Sequence, residues 1–279
     1  VVKFTKMHGL GNDFILVDMQ EEVLLEAPSR LARAICHRQY GVGADGLVLV
    51  HNSSRADCRM QIFNADGSEA ESCGNALRCV AKFVYDRGRA RGDIVTVEAL
   101  AGLYTIEVTP RGGSAELMKV NMGPPRFEPA AMPALVDGLG PVLDLPLRTA
   151  KALYQGVLVN TGVPHVVIFV PTLEGFDFMD EGRQIEQNPL FPRGINVDFV
   201  EVVRPDFLVA KVWERGAGPT LACGTGASAV LAAAYLTGRS ARSATVVLPG
   251  GELYIEWRES DGCVYMLGPA VSVFTGSYV

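Results

Sequence analysis

The sequence predicts an α/β chain of the α+β type, built as two similar halves that each enclose a helix. Three observations lead there. First, Leu221 to Gly238 repeats Glu71 to Gly88: an offset of 150 positions lays Cys73 on Cys223, Gly74 on Gly224, Val80 on Val230, Tyr85 on Tyr235 and Gly88 on Gly238. The same offset lays Phe63 on Trp213 and Leu103-Tyr104 on Leu253-Tyr254. Second, Ala227 to Leu236 is apolar all round apart from Ser228, and a helix with no polar face is buried on every side. The whole helix, from Cys223 to its stop at Gly238, is roughly 20 Å long and needs a wall, which points to sheet. Third, 279 residues are enough for two domains.

Taken in order, Lys3 to Asp18 holds a turn through Gly11 and then a strand over Phe14 to Val17. Ser29 to Arg38 reads as a short helix with Pro28 or Ser29 at its start. Gly41-Val-Gly43-Ala-Asp-Gly46 matches a dinucleotide-binding glycine pattern. That pattern needs a strand before it and a helix after it; here the order is reversed, so the reading is rejected. Arg59 to Phe63 is a strand that ends in the turn cluster Asn64-Ala-Asp-Gly-Ser. The first cysteine helix follows, and Gly88 stops it. Ile94 to Glu98 and Gly102 to Val108 form a hairpin, and Asn121 to Pro125 is a linker.

The second half repeats this order. Gly162 falls against Gly11, and Asp198 is matched to Asp45. A strand runs into Trp213-Glu214-Arg215, the second cysteine helix follows, and a hairpin turns at Gly250-Gly251. Residues 1–120 with 265–279 are expected to form one half, and 121–264 the other. The final segment is expected to return to the first half as a strand.

Net charge is −6, which speaks against a nucleic-acid surface. The opening residues lack an apolar signal core, and no apolar run approaches a membrane span. A soluble, cytoplasmic protein is expected, with no nucleic-acid or membrane partner. None of the six cysteines lies in a Cys-x-x-Cys pair, so zinc and thioredoxin chemistry lack support. Free thiols, with no metal and no cofactor, are the expectation.

A cysteine at a helix start sits where unpaired N–H groups and a partial positive charge collect. Such an end binds anions and favours the thiolate. Two of them could hold one carboxylate through the backbone N–H groups of Gly74, Asn75, Gly224 and Thr225. An amino-acid α-carbon then lies between two sulfurs. One thiolate removes the α-proton from one face and the other thiol returns a proton from the opposite face. The carbon inverts without a cofactor, and the helix ends stabilise charge that develops on the carboxylate.

These residues resemble the diaminopimelate epimerase family along essentially the whole chain. The resemblance is carried by Met7-His-Gly-Leu-Gly-Asn-Asp-Phe14, Phe63-Asn-Ala-Asp-Gly-Ser-Glu69, Cys73-Gly-Asn75, Glu214-Arg-Gly-Ala-Gly218 and Ala222-Cys-Gly-Thr225. It implies two pseudo-symmetric domains, each a curved, mostly antiparallel sheet or barrel around a central helix, with the active site in the interdomain cleft. It implies conversion of LL- to meso-diaminopimelate, with Cys73 and Cys223 as the paired acid and base. Gly74, Asn75, Gly224 and Thr225 would bind the reacting carboxylate, and Asn12 would lie near the reacting amine. Asn64, Asn196 and Arg215 would hold the distal carboxylate, and Glu214 the distal amine. His165 and Glu214 would tune the thiols, and Phe274 would lie at a homodimer contact. Two positions depart from the family pattern: Val163, where many members carry asparagine, and Gly46, where many carry glutamine.

Three other readings are weighed beside this one. A racemase or epimerase of proline or hydroxyproline would use the same scaffold, although Glu214-Arg215 argues for a substrate with a second charged end. A cysteine hydrolase or acyltransferase with His165 as base leaves the second Cys-Gly unexplained. A non-catalytic amino-acid-binding module would need neither thiol. Cys36, Cys58, Cys79 and Cys263 lack the Cys-Gly context and read as packing residues.

Overall fold

The structure is a computed structural model and describes residues 1–136, 138 and 140–279. The first strands are β1 (Val2–Gly9), β2 (Asn12–Asp18), β3 (Gly46–His51), β4 (Cys58–Asn64), β5 (Glu69–Ala70), β6 (Ile94–Ala99), β7 (Gly102–Arg111) and β8 (Ser114–Gly123). After them come β9 (Leu145–Arg148), β10 (Leu153–Asn160), β11 (Pro164–Phe169), β12 (Asn196–Arg204), β13 (Phe207–Glu214) and β14 (Gly218–Thr220). The last strands are β15 (Ser243–Leu248), β16 (Gly251–Trp257), β17 (Val264–Pro269) and β18 (Val271–Tyr278). The α-helices are α1 (Pro28–Ile35), α2 (Gly74–Tyr85), α3 (Phe178–Glu186) and α4 (Gly224–Leu236). Two compact units emerge: Val1–Asn121 with Leu267–Val279, and Met122–Met266.

In the first unit β18, β1 and β2 pair antiparallel in succession, β2 and β3 run parallel, and β3 and β4 antiparallel. β4 and β6 are again parallel, and β6, β7 and β8 close antiparallel. The second unit follows the same scheme. β9, β10 and β11 are antiparallel, β11 and β12 parallel, β12 and β13 antiparallel, β13 and β15 parallel, and β15 and β16 antiparallel. Each unit is therefore a mostly antiparallel sheet with two parallel joints at matching places.

The sheet of each unit wraps its own cysteine helix. α2 touches β1, β2, β4, β6 and β7, and α4 touches β10 through β13 with β15 and β16. α4 is buried from Ala227 through Ala234; its alanines let the strands come close, and Ser228 returns its hydroxyl to the Gly224 carbonyl at 2.9 Å. α2 is equally enclosed but carries cations. Lys82 donates to the Ala115 carbonyl at 2.7 Å and pairs with Asp86 at 2.9 Å, and Arg78 Nε donates to the Pro269 carbonyl at 3.1 Å. Buried charge is tolerated where such partners are supplied. Both helices stop at a left-handed glycine, Gly88 at φ 66° and Gly238 at φ 69°.

The registers test the internal repeat. Leu47 pairs with Phe63 and Val197 with Trp213, which keeps the 150-position offset. The hairpins do not keep it: Ala99 faces Gly102 and Leu248 faces Gly251, one position short. The match of Leu103-Tyr104 to Leu253-Tyr254 is therefore wrong by one residue. Leu103 is 52% exposed and Leu253 fully buried, because a one-residue slip moves a side chain to the other face of the sheet. The match of Asp198 to Asp45 also fails. Leu16 pairs with Val48 and Val167 with Asp198, so Asp198 occupies the place that Val48 holds in the first unit.

The sequence reading did not name β1, β5, β8, β9, β14, β17 or α3. β1 and β8 carry charged and polar residues among their apolar ones. α3 contains Gly182 at its centre, which reads as a breaker; the glycine is needed because a Cβ there would stand 2.7 Å from Trp213 Cβ.

Candidate active site

In the first unit the site grows from the head of α2. Cys73 is the N-cap, in extended backbone, and the first intrahelical bond runs from Leu77 N–H to the Cys73 carbonyl at 2.9 Å. A helix has no carbonyl of its own to offer the N–H groups ahead of that bond, which are those of Gly74 and its neighbours. Asn75, buried on the first turn, donates from Nδ2 to Asn12 Oδ1 at 3.0 Å. Cys73 Sγ stands 3.9 Å from the same oxygen.

Asn12 is itself anchored. Its Nδ2 donates to Asp45 Oδ2 at 2.7 Å, and Arg38 bridges Asp45 and Asp13 at 2.7 and 2.8 Å. Lys6 pairs with Asp13 at 2.6 Å and also donates to the Gly43 carbonyl. Burial alone would raise the Asp13 carboxyl, but the hydrogen bonds from Arg38 and Lys6 and the Lys6 charge outweigh it and hold it at about 2. The turn that delivers Asn12 passes through Leu10 at φ 56° and Gly11 at φ 86°. Leu10 is the one non-glycine residue at positive φ among the described residues, a strained placement of the kind found at ligand-holding turns.

In the second unit Cys223 caps α4 and is buried. Its sulfur accepts from Gly226 N–H at 3.3 Å and lies 3.3 Å from Thr225 Oγ1. Thr225 Oγ1 is 3.1 Å from His165 Nε2, and His165 Nδ1 is 2.7 Å from Asp198 Oδ2. His165 and Asp198 are both fully buried. Burial, with the charges of Glu214 and Asp198, pushes the Cys223 thiol well above its ordinary range; hydrogen bonding with Thr225 and with the Gly226 N–H pulls it partway back. Burial also raises Glu214, against hydrogen bonds from Thr220 and Cys223 and the field of His165. Glu214 Oε1 accepts from Thr220 at 2.6 Å.

The remaining expected residues fall as follows. Asn196 and Arg215 come together, but through the main chain: Arg215 N–H donates to Asn196 Oδ1 at 2.9 Å, and Asn196 Nδ2 donates to the Pro164 carbonyl at 2.8 Å. The Arg215 side chain is exposed and reaches the Arg193 carbonyl at 3.4 Å. Asn64 ends β4 and donates to Ser68 Oγ at 3.0 Å, inside its own turn. Gly46 has no room for a side chain, since a Cβ would stand 2.8 Å from the Phe63 carbonyl. Val163 lies in the turn between β10 and β11, its carbonyl accepting from Thr161 N–H at 3.3 Å. Phe274 is on β18, half exposed, with its ring edge-to-face against Phe4 at 5.9 Å.

Sequence reasoning missed the residues behind these groups. Asp45, Arg38, Asp13 and Lys6 fix Asn12, and Asp198 backs His165. Glu186 on α3 accepts from Trp213 Nε1 at 2.7 Å and Gly216 N–H at 2.9 Å, steadying the turn after Glu214. The signal for Asp198 was present: a carboxylate inside the apolar run Ile195-Asn-Val-Asp-Phe-Val200.

Among the described residues no group of three or more His, Cys, Asp or Glu side chains is arranged to hold a metal ion. No helix there is long and apolar enough to cross a membrane.

A family model described as diaminopimelate epimerase matches residues 4–128 and 157–273. The chain is 49% identical over 275 residues to the diaminopimelate epimerase of Acetivibrio thermocellus, covering 99% of this chain and 98% of that protein. It is 50% identical over 276 residues to the diaminopimelate epimerase of Pelotomaculum thermopropionicum, again covering 99% and 98%. Among solved structures, a probable proline racemase from Agrobacterium radiobacter K84 aligns with a TM-score of 0.71 at 17% identity, over 100% of this chain and 93% of that one. At that identity the likeness is one of fold.

Proposed function

The chain belongs to the diaminopimelate epimerase family, and from that premise we propose that Cys73 and Cys223 exchange protons with one α-carbon of diaminopimelate from opposite faces. The observation that carries the reading is the pair of N-cap cysteines, each at the head of a buried helix and each with a polar support of its own. In the direction that starts at Cys73, its thiolate takes the α-proton and becomes a thiol. The carbanion's charge spreads onto the carboxylate, which the N–H groups at the helix heads receive. Cys223 then delivers its thiol proton to the other face and is left as the thiolate. The reverse direction exchanges the roles, so atoms and charge balance without a cofactor.

Asn12 serves the reacting amine, because its side chain is held by Asn75 and Asp45 next to Cys73. Asn64, Asn196 and Arg215 serve the distal carboxylate, and Glu214 the distal ammonium. Each compact unit supplies one of the two thiols. We also assign Phe274 to a homodimer contact, since Val271, Val273 and Phe274 are all exposed apolar residues on β18.

The hydrolase reading has one observation in its favour, the buried His165–Asp198 pair. His165 Nε2 faces the Thr225 hydroxyl, however, and it is that hydroxyl that faces the sulfur. The deciding experiment is incubation with LL-diaminopimelate in heavy water. Inversion with uptake of one solvent deuterium at the α-carbon is expected. Inversion of proline without inversion of diaminopimelate, or a trapped acyl-enzyme, would overturn the proposal.

A further inference from the structure

The supports of the two cysteines differ in kind. The register places His165 where the first unit has Phe14, and Asp198 where it has Val48: Phe14 pairs with Gly46 and His165 with Asn196, and the strands continue in step. Two apolar core positions of one unit are thus an acid and an imidazole in the other. A carboxylate inside a core is expensive unless it is satisfied, and local rules are broken in this way mostly at functional sites. The substitution is also accommodated by its surroundings. A Cβ on Gly226 would stand 2.6 Å from Asp198 Oδ1, so the first turn of α4 is shaped around this carboxylate.

From Asp198 a continuous line of polar atoms runs to the sulfur: Asp198 Oδ2 to His165 Nδ1 at 2.7 Å, His165 Nε2 to Thr225 Oγ1 at 3.1 Å, and Thr225 Oγ1 to Cys223 Sγ at 3.3 Å. A carboxylate only accepts, so Nδ1 carries hydrogen and neutral His165 presents a bare Nε2. The Thr225 hydroxyl then donates to Nε2 and offers a lone pair to the thiol, for whose hydrogen the Glu214 carboxylate is a second acceptor. We propose that Asp198 is a positioning residue for Cys223: by holding hydrogen on His165 Nδ1, it lets Nε2 receive the thiol proton by way of Thr225. The step is a relay. The Cys223 S–H bond breaks as its proton passes to Thr225 Oγ1, while the hydroxyl's own proton passes to His165 Nε2. Thiolate and imidazolium result, Asp198 stays ionised beside the imidazolium, and no proton is gained or lost.

This proposal rests on the assignment of Cys223 as an acid-base group. Its test uses no substrate, so it can fail while the epimerase reading stands. The charged groups acting on the thiol are Glu214 and Asp198, with His165 acting in turn on Glu214. This yields opposite signs for two explanations. If Asp198 acted only through its field, Asp198→Asn would remove a charge that opposes the thiolate and would speed alkylation of Cys223. The relay requires the reverse, because an asparagine that donates to Nδ1 moves the histidine hydrogen to Nε2, and a wrong tautomer disables such a dyad.

The experiment measures iodoacetamide alkylation of Cys223 in the full chain, by peptide mass spectrometry across neutral to mildly alkaline pH. Nitrogen NMR of His165 reports its tautomer. Asp198→Asn is expected to shift hydrogen to Nε2 and to slow Cys223 alkylation at least about tenfold, leaving Cys73 unchanged. Thr225→Val is expected to slow Cys223 equally with the His165 tautomer retained, and Thr225→Ser to recover the rate to within about threefold. Wild-type or faster alkylation of Cys223 in folded Asp198→Asn overturns the proposal. If Asp198→Asn does not fold, the threonine pair decides: equal rates in Thr225→Val and Thr225→Ser overturn it.

Discussion

Asn75 Nδ2 donates to Asn12 Oδ1 at 3.0 Å, so the first turn of α2 and the start of β2 are joined beside Cys73. Replacing Asn12 removes the acceptor for Asn75 and the donor to Asp45 together. Asn75 is buried, and leaving its amide unmet costs about 1–3 kcal/mol; Asp45 is exposed and keeps Arg38 as a partner. Asn12→Ala is expected to lower stability by about that amount and to reduce epimerisation more than it weakens substrate binding. Urea unfolding and a kcat-against-KM comparison check this; an unchanged kcat would refute the placement.

Cys73→Ala and Cys223→Ala are each expected to stop inversion, because a proton carrier is needed on both faces. The two should differ in isotope exchange. Each retains one thiol and can still wash hydrogen from the substrate isomer whose α-proton faces it. A residual inversion rate in the double-digit percentages of wild type would rule the paired assignment out.

Asp13 is held at about 2, below its ordinary 3.8, and its side chain is only 17% exposed. The ionised form is favoured by folding, so its contribution is present above pH 3.8 and is lost as pH falls toward about 2. A shift of that size corresponds to about 2 kcal/mol. Asp13→Asn is expected to lose about that much at neutral pH and to converge with wild type in strong acid, which chemical denaturation at the two pH values can measure.

The alkaline side is set by thiols. Burial raises Cys36, Cys58 and Cys79 from 9.0 to about 12, and Cys223 rises as well. A raised acid binds its proton more tightly in the folded chain. Its contribution is complete below pH 9.0 and is lost as pH climbs toward about 12. Each such thiol steepens the decline by up to about 1.4 kcal/mol per pH unit. Stability measured through this window is expected to fall sharply. A Cys36, Cys58, Cys79 triple-alanine variant, compared by slope rather than absolute stability, is expected to fall more gently.

Phe274→Asp places a charge among the exposed apolar residues of β18. It is expected to yield monomers in sedimentation velocity where the wild type sediments as a dimer. A monomeric wild type would remove the dimer assignment altogether.

The frame of this fold was legible because each helix has an unusual sequence. Ala227 to Leu236 has no polar side to expose, and its echo at Glu71 to Gly88 fixed the repeat. What stayed hidden depended on contacts between distant residues. Gly182 disguises α3 because its reason for being glycine is Trp213. The hairpin slip at Leu103 and Leu253 is invisible to a single offset, since both sequences alternate and only burial distinguishes their faces. The N-cap places of Cys73 and Cys223 were readable from Cys-Gly at helix starts, whereas Asp45 and Asp198 were paired by likeness although their surroundings differ. Asp45 orients an amide from a strand's edge, and Asp198 replaces a core valine.

The all-apolar character of α4 has a consequence for how the second unit comes into being. A segment of alanines, leucine and valine with no wettable side gains nothing by forming alone in water, where short helices are marginal. It becomes a helix only as β10 through β13, β15 and β16 gather about it. The place of Cys223 at its head is therefore fixed together with the packing of those strands and not ahead of it.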